Sequence, residues 1–454
     1  MKKHFYQKCV ASALALIMFF GLFAGVDQAK AEAEINVNAD GAIIVDGETG
    51  KVLYEKNGES SLGVASMTKM MTEYLLLDAV KQGKVKWDQD YPVSELVYKI
   101  SQPRDLSNVP LRQDGTYKVR ELYEAMAIYS ANGATIALAE VIAGSESKFV
   151  KMMNEKAKKL GLKNSKFVNS TGLNNKDYHG KHPEGTGADE ENLMSPHDVA
   201  TLAFHLINDY PDVLKTASTP RKTFREGTTD KINMINWNWM LPELDYGYKG
   251  MDGLKTGTTD FAGYCFTGTA ARDGKRFITV VQNAKDASGK NDGYRARFGE
   301  TKKMLDYAFT NFSKEELVPK HYQVKGHTTI PVIKGKEDQV KIYTKSAIDM
   351  VIQNGDKKNY QTELVLDKKK INKDGELTAP IKKGDKIGYL TVKPKNGDKV
   401  SFLTEEGQKK AQVDVVAAQD VEKANWFVLM MRGIGNFFGD VWHGISSTVK
   451  GWFK

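Results

Sequence analysis

The chain has 454 residues, 41% apolar and 27% charged, enough for two or three domains with their own cores and too apolar for a disordered chain. Its net charge of +8 is mild for this length, and no basic cluster interleaved with aromatics occurs, which argues against a nucleic-acid partner.

The first element is a targeting segment. Lys2, Lys3 and Lys8 precede the apolar run Val10 to Val26, and Ala29-Lys30-Ala31 offers a small-residue cleavage site, so residues 1–31 read as a signal peptide. Cleavage removes Lys2, Lys3, Lys8, Lys30 and Asp27, so the net charge of +8 falls to +5. Cys9 leaves with the segment, and Cys265 remains alone, unable to form an intramolecular disulfide. This pattern suits a bacterial envelope enzyme held together by a large core. Cys265, in Tyr264-Cys265-Phe266, reads as a buried structural thiol.

Two short β runs, Ala42 to Val45 and Val52 to Tyr54, flank the turn Gly47-Glu48-Thr49-Gly50. A helix is expected from Ser66, with Met70, Met71, Tyr74, Leu75 and Val80 at helical spacing and Gly83 to end it. Ser66 and Lys69, three residues apart, then share a face, and a hydroxyl beside a neutral amine can serve as nucleophile and base. Further helices are expected over 119–129, 134–142 and 146–160, the first breaking at Ser130-Ala131-Asn132-Gly133. Residues 164–194 read as a long loop, and Ser195-Pro196 opens another helix. Lys255-Thr256-Gly257 begins a β section whose strands 262–271 and 276–282 are joined through Asp273-Gly274, and a helix from Arg297 closes it. The fold expected is α/β (α+β), helices packed on an antiparallel sheet.

Beyond it, runs such as 339–343, 363–366, 387–392 and 412–416 alternate apolar and polar residues between turns, as in a small all-β domain. From 426 onward, Phe427, Met430, Met431, Ile434, Phe438 and Trp442 share one helical face, as in a helix lying in a membrane interface. The expected divisions are residues 1–31, 32–315, 316–420 and 421–454.

Three motifs stand in order: Ser66-x-x-Lys69, Ser130-x-Asn132 and Lys255-Thr256-Gly257. On these residues and the order of segments around them, the chain resembles the low-molecular-mass penicillin-binding proteins, specifically the serine D-alanyl-D-alanine carboxypeptidases. The resemblance implies that Ser66 attacks the peptide bond between the terminal D-alanines of a peptidoglycan stem, with Lys69 as base and Ser130 as proton relay. It implies substrate contacts from Asn132, Lys255, Thr256, Gly257 and Thr258, with the Ser66 and Thr258 amides as an oxyanion hole. Lys255 is the natural second cation holding the Lys69 pKa down. Arg297 opens a segment whose arginine lies near the carboxylate pocket, the alternative being a surface ion pair. Trp237 stands where some relatives carry a basic residue, and it and Trp239 read as core packing sooner than groove lining. The resemblance also implies penicillin as a covalent inhibitor, no metal or other cofactor, and attachment to the outer face of the cytoplasmic membrane through the C-terminal helix.

Two rivals remain. A β-lactamase would need a deacylating base in a Glu-x-x-Leu-Asn segment, and Glu190-Glu191-Asn192-Leu193-Met194 matches all but the last position. That stretch reads as a solvated insertion. The other rival is a non-catalytic β-lactam sensor or wall-binding scaffold, of which a sensor would need transmembrane and cytosolic signalling parts that the sequence does not suggest.

Overall fold

Every residue from Met67 to Leu76 is buried in the computed structural model, which describes residues 35–286, 293–427 and 429–431. The helix Lys69–Lys81 therefore runs through the core and not along its surface, burying Met70, Met71, Tyr74, Leu75 and Leu76 together with the polar Lys69, Thr72 and Glu73. Beside it runs Asn132–Ala143, whose small residues are buried without a break from Asn132 to Ala139. A Cβ on Gly133 would lie 2.6 Å from the Ser101 side chain, so glycine lets this helix close on Glu95–Ser101. Contacts divide the chain into Met1–Asn36 and Val37–Lys454, and all described helices and strands belong to the second unit. The signal segment lies outside the described residues, as does nearly all of the helix expected from 426.

The sheet is five-stranded and antiparallel, ordered Val52–Lys56, Gly41–Asp46, Lys275–Gln282, Gly263–Arg272, Met251–Thr259. Alternation along the strands serves two layers. Phe266 and Phe277 meet Phe298 and Phe309 of the helix Gly293–Asn311. The Thr267 hydroxyl, on the opposite face from Phe266, is 3.1 Å from the Met67 sulfur. Helices on an antiparallel sheet is the arrangement expected, and the strand carrying Lys255 starts earlier than expected, at Met251.

The stretch 164–194 is no loose loop. Asn169, Ser170, Thr171 and Asn175 are fully buried, and Leu193–Met194 pairs with Leu62–Gly63 just ahead of Ser66. The Asn192 side chain accepts from the amides of Val168 and Asn169 and donates to the Thr68 hydroxyl. The expectation of a solvated insertion is thus corrected for Glu191 to Met194, which are tied to the segment around Ser66 through Leu62–Gly63 and Thr68.

The alternating runs beyond 312 form a six-stranded sheet, ordered 360–366, 386–394, 412–417, 339–344, 329–333, 377–378, and the pair 312–318 with 348–353. Gln339–Thr344 shows the alternation directly, with Val340, Ile342 and Thr344 inside. This β layer grips the turn 46–51 of the first sheet. The amide of Leu403 donates to Gly50 O and that of Val52 to Ser401 O, both at 2.9 Å. Lys51, 7% exposed, donates to Val351 O at 2.9 Å and Tyr360 Oη at 3.2 Å, and burial pushes its pKa down to about 8. A Cβ on Gly407 would lie 2.1 Å from Thr49 O, so only glycine permits this approach.

Candidate active site

Ser66 stands on a short 3₁₀ turn, Ala65–Thr68, ahead of the helix proper, not on its first α-turn as expected. Ala65 takes a left-handed φ of 44°, sterically unfavourable for a residue with a Cβ. Glycines from two remote segments press on this turn. A Cβ on Gly172 would lie 1.9 Å from Ala65 O, and one on Gly257 2.6 Å from Val64 O and 3.1 Å from Ser66 N. Ala65, Met67 and Thr68 are buried, while Ser66 opens onto a cleft of about 580 Å³.

Lys69, 1% exposed, lies one turn behind it. Its Nζ is 2.8 Å from Ser66 Oγ, 2.8 Å from Asn132 Oδ1 and 2.7 Å from Thr171 O. Asn132 Nδ2 donates to Ser107 O at 3.1 Å, which turns the amide oxygen toward the lysine. Two of the three partners can therefore only accept. A neutral amine satisfies them with its two hydrogens and leaves its lone pair for the Ser66 hydroxyl. Burial, and after it the charge of Lys255, hold the Lys69 pKa well below the usual lysine value.

Ser130 ends the helix Val119–Tyr129 in a left-handed conformation, φ 59°, its amide donating to Met126 O at 3.0 Å. That kink turns its hydroxyl into the cleft, where Oγ is buried and makes no hydrogen bond to the described protein. Thr256, Gly257 and Thr258 line the same cleft from the edge strand. Lys255 lies behind them, donating to Thr256 O at 3.1 Å. Burial, then the Arg297 charge, push its pKa down to about 7, while Glu73 opposes them.

Arg297 is 1% exposed, which removes the surface ion-pair alternative. Its Nη1 donates to Gly257 O, Thr258 Oγ1 and Cys265 O at 3.0, 2.8 and 3.3 Å. The guanidinium also faces the rings of Tyr264, Tyr294 and Phe298. Burial lowers its pKa to about 10. Trp237 corrects the core-packing expectation: half-buried, it lines the cleft, donates from Nε1 to Tyr129 O at 3.0 Å, and stacks with Trp239 and Tyr294. Cys265 is the buried structural thiol expected, its pKa pushed up by burial to about 12.

The sequence reading missed Thr171 and Gly172. Thr171 acts through a backbone carbonyl, which has no side-chain signature; the hint available was a run of Asn, Ser, Thr and Gly inside a long loop. Glu190 pairs with Lys166 and accepts from the Gly187 amide at 2.7 Å, away from the cleft lining. The Lys166 contact holds its carboxyl below the usual range.

A serine held against a buried lysine, on helices packed over an antiparallel sheet, defines a penicillin-recognising serine hydrolase. Residues 27–286 match the Peptidase S11 family, D-alanyl-D-alanine carboxypeptidase, and the chain belongs to that family. Residues 312–423 match the C-terminal domain of penicillin-binding protein 5. The chain is 34% identical over 330 residues to the D-alanyl-D-alanine carboxypeptidase DacF of Bacillus subtilis, covering 73% of this chain and 76% of that protein. It resembles the crystal structure of a peptidoglycan synthesis regulatory factor, PBP3, from Streptococcus pneumoniae, with TM-score 0.69 and 33% identity over 85% of this chain and 100% of that one. It also resembles penicillin-binding protein D2 of Listeria monocytogenes in its cefotaxime-bound form, with TM-score 0.50 and 33% identity over 61% of this chain and 98% of that one. Covalent penicillin binding is typical of the family.

Proposed function

We propose that the protein removes the terminal D-alanine from peptidoglycan pentapeptide stems through an acyl-enzyme on Ser66. The observation that carries the residue assignment is the Lys69 amine, whose two fixed acceptors leave its lone pair aimed at Ser66 Oγ. In this reading Lys69 takes the Ser66 proton as Oγ attacks the carbonyl carbon, and the Ser66 and Thr258 amides stabilise the oxyanion. Ser130 passes a proton to the departing amine and is replenished from Lys69. The neutral Lys69 then activates the water that hydrolyses the ester. Lys255, Thr256, Thr258 and Arg297 form the positive end of the cleft for the substrate's carboxylate, Gly257 brings the strand against the nucleophile's turn, and the second Asn132 Nδ2 hydrogen holds the substrate's amide carbonyl. Incubation with a peptide ending in D-Ala-D-Ala should release D-alanine, and penicillin should leave its mass on the peptide containing Ser66. An adduct on any other residue would overturn the assignment.

Export through residues 1–31, a peptidase domain over 32–315, a β-rich domain over 316–420 and an interfacial anchor from 421 complete the proposal. Support for the anchor comes from Trp426, Phe427, Met430 and Met431, all exposed, at 43 to 74%. Removing residues 426–454 should give an active enzyme that stays in the supernatant. A truncated protein that still sediments with anionic vesicles would refute the anchor.

A further inference from the structure

Glu146 is a buried acid that the reaction scheme above leaves idle. It opens the helix Glu146–Lys159, is 5% exposed and does not line the cleft. Its Oε1 accepts three hydrogen bonds: from the Ser170 amide at 2.9 Å, the Ser170 hydroxyl at 2.6 Å and the Tyr178 hydroxyl at 2.9 Å. Oε2 is buried and has no hydrogen-bond partner among the described residues. The whole grip of this side chain is thus on the segment that carries Thr171, whose carbonyl meets the base.

Ser170 and Thr171 have every backbone polar group fixed. The Ser170 amide donates to Glu146, and Ser170 O accepts from Thr72 Oγ1 at 2.8 Å. The Thr171 amide donates to Asn169 Oδ1 at 3.1 Å, and Thr171 O accepts from Lys69 Nζ at 2.7 Å. Asn169 is a neighbour in sequence, and Thr72 and Lys69 belong to the catalytic helix. Of these four anchors, only Glu146 reaches the pair from a different helix. It reaches them twice, since the Tyr178 hydroxyl that donates to Oε1 also lies 2.9 Å from Thr171 Oγ1. With those bonds gone, the Thr171 carbonyl could turn off Lys69, and Gly172, packed against Ala65 O, would shift with it.

The role needs lone pairs and not a charge. Burial pushes the Glu146 carboxyl above its ordinary range, against the opposing hydrogen bonds from Ser170 and Tyr178. A carboxyl oxygen accepts in either protonation state, so a neutral acceptor of the same shape should serve as well.

We infer that Glu146 is a positioning residue for the general base: by holding Ser170 and Tyr178 on one carboxyl oxygen, it keeps the Thr171 carbonyl on Lys69 and so keeps that amine's lone pair on Ser66. This rests on the assignment of Ser66 and Lys69 made above. Its signature is a loss of turnover without a loss of substrate affinity. The carboxylate end of the cleft is held separately, since Lys255 and Arg297 bond to the edge strand and to Cys265 O.

The test compares the full chain with Glu146→Leu, Glu146→Gln and Val150→Ala in D-alanine release from a D-Ala-D-Ala peptide, Ser66 labelling by a fluorescent penicillin, and thermal denaturation. Leucine fills the space and removes the acceptor; glutamine keeps the acceptor and removes the charge. Glu146→Leu should lower kcat and the labelling rate about ten- to a hundredfold and leave KM within about twofold. Glu146→Gln should hold both rates within about threefold of wild type. Val150→Ala, a buried truncation on the same helix, should lower the melting temperature and leave kcat unchanged, which separates positioning from stability. A Glu146→Leu protein that keeps its kcat, or whose KM rises in its place, would overturn the inference. So would a Glu146→Gln protein as slow as Glu146→Leu, since the charge would then be what matters, or an equal loss of kcat in Val150→Ala. If Glu146→Leu does not fold, Tyr178→Phe decides: kcat should fall several-fold at constant KM, and an unmoved kcat overturns the inference equally. Failure of wild-type protein to label at Ser66 would instead refute the catalytic assignment.

Discussion

The Lys69 amine lies 2.8 Å from the Ser66 hydroxyl, while Asn132 Oδ1 and Thr171 O occupy its two remaining directions as acceptors. A protonated lysine would aim a hydrogen at the serine; a neutral one aims a lone pair. In the reaction proposed above, the chemistry of the turn therefore depends on a single proton.

Lys69→Arg, which cannot shed its charge, should lower the rate of penicillin acylation by about two to four orders of magnitude at every pH. In the wild type, acylation should rise as Lys69 loses its proton and fall as Lys255 loses its own. Because both values are depressed, the alkaline limb should lie below the ordinary lysine range. A bound carboxylate favours the charged Lys255, so that limb should stand higher in kcat than in kcat/KM. Steady-state kinetics from pH 5 to 11, roughly the span between the ordinary His and Lys values, would check both statements.

Ser66→Ala should abolish both the penicillin adduct and D-alanine release, whereas Ser130→Ala should retain an adduct on Ser66 that forms about a hundredfold or more slowly. Intact-mass time courses followed by peptide mapping separate the two variants. An equally fast adduct in Ser130→Ala would remove Ser130 from the proton path.

Gly172 and Gly180 have nearly the same left-handed backbone, φ 81° and 79°, but only Gly172 has a neighbour where a Cβ would go. Gly180→Ala should cost about 1–2 kcal/mol of stability from backbone strain alone and leave acylation within about twofold. Gly172→Ala must also displace Ala65 O, so it should lose most acylation and melt at a lower temperature than Gly180→Ala. Thermal denaturation and penicillin labelling of the pair would distinguish strain from contact.

Glu190 is engaged with Lys166 and Gly187, and it does not line the cleft. Glu190→Gln should therefore leave D-alanine release within about threefold, less than roughly 1 kcal/mol. The penicilloyl-enzyme should persist for minutes or longer, as measured by decay of intact mass. A hundredfold loss in the variant, or rapid turnover of penicillin by the wild type, would make Glu190 a deacylation base.

Much of the fold was legible because its signals are periodic or punctual. The helix 119–129, the Asp273-Gly274 hairpin and the cap at Ser195 fall where the sequence puts them. What escaped were features made by backbone atoms or by distant pairs. The carbonyl of Thr171 and the close approach of Gly172 to Ala65 join residues about a hundred positions apart, and nothing in local pattern reports such a meeting. Trp237 was misjudged for a related reason: an indole suits a core and a cleft wall equally, and only its place in the lining of the folded cleft decides between them. Glu190 to Met194 looked solvated from its charges, but the burial of Asn192 follows from backbone amides it happens to satisfy.

The grip of residues 401–410 on the turn 46–51 has a mechanical meaning. With Lys51 sunk between Val351 and Tyr360, the β layer is a strut joined to the catalytic sheet at its own first hairpin as well as at the connecting chain. A strut fixed at two points transmits tilt. If the far end of the protein is held at a surface, the mouth of the cleft keeps one height and one heading above it. Position would then select among chemically identical substrates, those at that height being within reach of the cleft.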